Sequence, residues 1–200
     1  MKRSLLLIAF ITFQVIGFSS NAQNETESNF RFDNSERTVS WIKVFEIGQN
    51  IDISELKRYF SESRILNIQT ENPNSFSAEF VKRPIDIQKY GYARGTTPMV
   101  LLDVEQIFTA SVEYKEGRYR VILTNLGYID DGVLSDIAQR ALVGNTSTTA
   151  KGNIESYNGD FSFNKRNEVR KSYSRIFEIL DKFYSDMMSY KKPASGNDDW

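Results

Sequence analysis

Between residues 106 and 125, apolar side chains fall on every second position on both sides of the pair Glu116-Gly117. Alternation with a period of two marks a half-buried strand, and two such runs across a two-residue link predict a β-hairpin. Gly117 supplies the positive φ that the tight turn requires. The register sets Lys115 opposite Arg118, Tyr114 opposite Tyr119, Glu113 opposite Arg120, Val112 opposite Val121 and Ala110 opposite Leu123. Phe108, Ala110, Val112, Tyr114, Tyr119, Val121 and Leu123 then share one face. Thr109, Ser111, Glu113, Arg120 and Thr124 share the other, with Ile122 as its apolar exception. A slip by one residue would bury Glu113 or Arg120, so the pattern specifies its own pairing.

The same reading extends outward from the hairpin. Residues 38–46 are rich in β-formers, with Trp41 and Phe45 on one face and Ile42 and Val44 on the other, which predicts a strand covered on both sides. Asp52 is a helix N-cap with Glu55 three residues on, and residues 52–61 carry Ile53, Leu56 and Phe60 on one stripe with Tyr59 beside it. Residues 64–70 and 75–82 form further strands around a turn at 71–74, the second alternating through Phe76, Ala78 and Phe80. Pro84, Gly91, Gly95 and Pro98 break the pattern, so residues 83–97 are an irregular excursion. Near the C-terminus, Val169, Tyr173, Ile176, Leu180, Phe183 and Met187, flanked by Phe177 and Tyr184, predict a long helix over 168–190 that covers one sheet face. Residues 134–143 have the spacing of a short helix, 144–153 the Thr/Ser/Gly content of a mobile segment, and 191–200 that of a loose tail. The expected architecture is therefore α+β: an antiparallel sheet of about five strands in the order β-α-β-β-β-β-α.

Three stretches, Trp41 to Phe45, the helix Ile53 to Phe60 and above all the hairpin Phe108 to Val121, resemble an exported bacterial domain of unknown function with a TBP-like fold. The resemblance spans residues 38–131, with the C-terminal helix a looser match and 83–97 the main departure. It implies a fold and an exported location and supplies no activity.

The N-terminus points the same way. Lys2 and Arg3 precede an apolar run over residues 5–18, and Ser20-Asn21-Ala22 places small residues where a signal peptidase reads them. Cleavage after Ala22 is expected, followed by a flexible polar leader over 23–37, with no membrane span in the mature chain; the run is shorter than the roughly 20 residues a spanning helix needs. Losing Lys2 and Arg3 leaves 23 basic against 26 acidic residues, near −3. An acidic chain with no basic stripe gains little from counterion release, so nucleic acid is not the expected partner.

Histidine and cysteine are both absent. That removes Ser-His-Asp and Cys-His catalysis and the imidazole and thiolate metal sites together. Asp130-Asp131-Gly132 with Asp136 lacks the alternating ligand spacing of a calcium loop and reads as turn chemistry. No cofactor, metal or catalytic residue is expected. The chain reads as a non-enzymatic binding module of the envelope whose partner is a protein, peptide or glycan. Its candidate surfaces are the polar sheet face (Thr109, Ser111, Glu113, Arg120, Thr124) and an aromatic-cationic lip made by Tyr90, Tyr92 and Arg94. One alternative is a carbohydrate hydrolase with two acids about 5–9.5 Å apart in a cleft. Another is a structural subunit of an envelope assembly, held by the C-terminal helix.

Overall fold

The computed structural model describes residues 28–48, 51–102, 104–130, 153–157 and 159–192. The expected leader cleavage, the helix at 134–143, nearly all of the segment 144–153 and the tail beyond residue 192 lie outside these residues.

The hairpin is the centre of the sheet. β6 (Glu105–Lys115) and β7 (Arg118–Asp130) pair antiparallel with Lys115↔Arg118, Tyr114↔Tyr119, Glu113↔Arg120, Val112↔Val121 and Ala110↔Leu123. Gly117 turns the chain at φ 76°, and its carbonyl accepts a hydrogen bond from the Ile47 N–H at 2.8 Å. Beyond Thr109↔Thr124 the register shifts, with Asn125 at φ 53° as the extra residue of a bulge in β7. The bulge resets the alternation, so Leu126 joins Leu123 in the core.

Around this pair, β2 (Thr38–Glu46) adds to β7, and β4 (Ser75–Phe80) followed by β3 (Leu66–Asn72) adds to β6. The sheet order is β1-β2-β7-β6-β4-β3, with β5 (Arg83–Pro84) on β6 and β8 (Asn153–Ser156) on the far end of β7. Eight strands among the described residues thus replace the expected five. The extra ones are short, and one of them corrects the leader. β1 (Phe30–Asp33) pairs with β2 and buries Phe30 and Phe32, so alternating aromatics outweigh the polar composition around them. β3 also begins two residues later than the spacing predicts, because Arg64 at φ 50° closes the preceding helix.

α1 (Ile53–Glu62) starts on Asp52, whose carboxylate accepts the Glu55 N–H at 2.8 Å, and it buries Leu56 and Phe60. A helical turn, α2 (Gly159–Ser162), leads toward α3 (Ser174–Met188). α3 is shorter than the expected 168–190: Asn167 takes φ 60°, Val169 bridges to Phe163, and the helix begins only after Tyr173. Its buried stripe is Phe177, Ile179, Leu180, Phe183, Tyr184 and Met188, rotated slightly from the predicted one.

Both longer helices lie on the same side of the sheet. Phe60 of α1 meets Phe76 and Tyr119, while Phe183 and Tyr184 of α3 meet Phe80, Phe108 and Trp41. The inward set of the hairpin is therefore the core, as its pattern requires. Among the described residues no helix lies on the other side of the sheet.

Candidate functional site

The outward face of β2, β4, β6 and β7 is built of cross-strand rows. In one row Ile42, Ile122, Ser111, Ser77 and Thr70 lie side by side, with the Thr70 and Ser77 hydroxyls 2.6 Å apart. The next row runs Val44, Arg120, Glu113, Ser75 and Asn72. Arg120 donates to Glu113 through Nη2 at 2.5 Å and Nε at 3.1 Å, both side chains about half exposed. A third row sets Thr124 beside Thr109 and Glu79, and Asn125 Nδ2 donates to Thr109 Oγ1 at 3.2 Å.

Thr109, Ser111, Glu113, Arg120 and Thr124 thus share one surface, as the alternation predicts. The structure adds an aliphatic strip to it. Ile42 and Ile122 are half-buried neighbours and Val44 is 50% exposed, so the second face of β2 is not covered among the described residues, contrary to expectation. No aromatic residue occupies the outward positions of these four strands up to Thr124.

The lip of Tyr90, Tyr92 and Arg94 is a correction. Tyr92 is buried, and its hydroxyl donates to Glu178 Oε1 at 2.7 Å and accepts from Lys182 Nζ at 2.7 Å. The Arg175 guanidinium sits 4.3 Å from the centre of its ring. The Tyr92 hydrogen bond holds the Glu178 carboxyl below its ordinary value and the Lys182 ammonium above its own. Tyr90 is half-buried and donates to Asp186 Oδ2 at 3.0 Å, alongside Lys89 at 2.5 Å and Lys191 on Oδ1 at 2.7 Å. Burial alone would raise the Asp186 pKa, but these donors outweigh it and set it at about 2. The two tyrosines therefore bind the excursion to α3, leaving Arg94 exposed at the start of a 3-10 turn. A loop this rich in tyrosine finds its partners on its own helix.

Acidic residues also line a shared cleft. Glu46 and Glu55 both line a cleft of about 420 Å³ between the end of β2 and α1, where Glu55 accepts the Tyr190 hydroxyl at 2.6 Å. That bond to Glu55 and burial raise the Tyr190 pKa to about 12. Among the described residues no group of three or more acids is placed to hold a metal ion, and no helix is long and apolar enough to cross a membrane.

Sequence reasoning missed Asp181. It lies on the inner side of α3, where its Oδ1 accepts from the indole of fully buried Trp41 at 2.7 Å and from Asn29 at 2.8 Å. The signal was present, since Asp181 falls four residues after Phe177 and three before Tyr184.

The described residues thus form an antiparallel α+β domain with both longer helices on one side of the sheet and a polar, aliphatic-centred face on the other. The chain is similar to a DUF4468 family protein from Bacteroides ovatus, at 11% identity and TM-score 0.43 over 78% of this chain and 85% of that one. It is also similar to a TBP-like protein from Parabacteroides distasonis, at 11% identity and TM-score 0.39 over 78% of this chain and 92% of that one. No family model matches the sequence, and no curated protein matches it significantly.

Proposed function

We propose that this chain is a non-enzymatic recognition module of the cell envelope and that its open sheet face binds a protein or peptide partner. The observation behind this reading is the aliphatic strip of Ile42, Val44 and Ile122, which no described residue covers, bordered by Ser and Thr hydroxyls and the Glu113–Arg120 pair. Such a surface gains free energy when its aliphatic carbons leave water, and the flanking hydroxyls and ion pair set register. The missing aromatic platform favours a polypeptide over a glycan on this face. Export is supported by Lys2-Arg3, the apolar run over 5–18 and Ser20-Asn21-Ala22.

The test is site-specific photo-crosslinking from Thr109 and Ser111 in envelope fractions, repeated with Ile122→Asp and Arg120→Glu. Both variants are expected to keep the melting temperature and lose the crosslinked partner. Unchanged crosslinks in both would reject the face. N-terminal sequencing of the mature protein is expected to begin at Gln23, and an intact Met1 would reject export by cleavage.

For the hydrolase reading, the cleft lined by Glu46 and Glu55 supplies one pair of acids to test. Glycan turnover by the wild type that disappears in both Glu46→Gln and Glu55→Gln would favour it over the recognition reading.

A further inference from the structure

Strand register gives the outward face a symmetry of its own. Across β2 and β7, Ile42 stands opposite Ile122, Val44 opposite Arg120 and Glu46 opposite Arg118. All six fall in the outward set, alternating with Trp41, Lys43 and Phe45 on β2 and with Tyr119, Val121 and Leu123 on β7. Val44, Glu46, Arg118 and Arg120 are exposed, while Ile42 and Ile122 are half-buried. Arg120 is engaged by Glu113 on its own sheet. Glu46 and Arg118 form no ion pair with any described residue.

This order of side chains constrains what can sit on the face. The partner has to set apolar carbons against the isoleucine row and present an acid and a base, in reversed order, to Glu46 and Arg118. A second copy of the chain does both. Two sheets packed face to face stand about 10 Å apart with their strands within about 30° of each other. A twofold axis parallel to the strands, midway between β2 and β7, lays β2 of each copy over β7 of the other. Every row then meets the same row with its two strands exchanged. Ile42 faces Ile122, Val44 faces the aliphatic stem of Arg120, and Glu46 faces Arg118, each contact being made twice. No further sequence requirement is needed, because the register already places the complementary residue across from each one.

We propose that this face is a self-association surface whose partner is a second copy of the chain, packed sheet to sheet about that axis. The proposal rests on the reading of the outward face as the binding surface and names its occupant. The size of the patch sets the strength. Four strands about 4.8 Å apart, over seven residues of about 3.3 Å each, give roughly 19 by 23 Å. Two such patches amount to on the order of 900 Å², at the weak end of specific interfaces, so the dimer is reversible and depends on concentration.

The test is sedimentation equilibrium of the chain purified as the cell produces it, from about 10 μM to about 1 mM. The mass is expected to rise from one chain toward two across that range. Glu46→Arg and Arg118→Glu each bring like charges together at both contacts and are expected to weaken association about tenfold. The double variant Glu46→Arg/Arg118→Glu restores both contacts at unchanged net charge and is expected to associate as the wild type does. A chain that stays monomeric throughout overturns the proposal. So does a dimer indifferent to the single variants, or one that the double variant fails to restore. The envelope crosslinks from Thr109 and Ser111 separate this proposal from the reading beneath it. A crosslink at twice the chain's mass supports self-association. A captured species of another mass, with a monomeric purified chain, overturns self-association and leaves the face as a binding surface. Neither crosslink nor dimer overturns both.

Discussion

Two aspartates tie α3 to distant parts of the chain by hydrogen bonds, and they do so differently. Asp181 satisfies the indole N–H of Trp41, which has no access to water. Asp181→Ala strands that donor and is expected to cost about 1–3 kcal/mol in urea unfolding, whereas Asp181→Asn, which keeps an acceptor, costs less. Asp186 is half-buried beneath Lys89, Tyr90 and Lys191 and titrates at about 2 against an ordinary 3.8. A depressed folded pKa means that its stabilisation is complete above the unfolded value and is lost as pH falls from about 4 toward 2. The melting-temperature gap between wild type and Asp186→Asn should accordingly be constant from pH 5 upward and shrink below pH 4. Neither residue was legible in the sequence as a clamp. A carboxylate on a helix reads as a solvated charge until the indole or ammonium facing it is known, and those partners lie up to 140 residues away in the chain. Glu113 and Arg120 were legible, because their partnership follows from strand register alone.

At the scale of elements, α3 closes the core from one side. Phe183 is buried against Phe80 and Tyr184, and Phe183→Ala is expected to cost about 3–5 kcal/mol, read by chemical denaturation. A chain ending at Tyr173 is expected not to fold at all, with loss of far-UV helix and strand signal; a folded truncation would instead favour a helix that serves an outside assembly. The hairpin was legible because alternation, turn glycine and cross-strand charge agree with one another. β1 was not, since four residues with two aromatics are too few for periodicity to rise above a polar background. The start of α3 was misread for a related reason. Val169 and Tyr173 fit helical spacing, but the bridge from Val169 to Phe163 and the positive φ of Asn167 take residues 167–173 out of the helix.

For the molecule as a whole, the absence of histidine has a measurable consequence. Histidine is the side chain whose ordinary pKa lies between pH 5 and 8. The resolved shifts here move groups away from that window, with Glu178 and Asp186 downward and Lys182, Lys191, Tyr90 and Tyr190 upward. Unfolding free energy is expected to be flat from pH 5 to 8. A slope there would point to a titrating group outside the described residues.

By itself the sequence determined the α+β class, the hairpin register, the polar identity of the outward sheet face and the exclusion of histidine and cysteine chemistry. Each follows from local rules: side-chain period, turn conformation and the inventory of functional groups. Only the tertiary structure decided which surfaces the described elements cover. It placed both longer helices on one side of the sheet and drew Tyr90 and Tyr92 down onto α3. Those outcomes depend on which distant atoms meet, and no period in a linear chain encodes the distance between a loop tyrosine and a helix carboxylate.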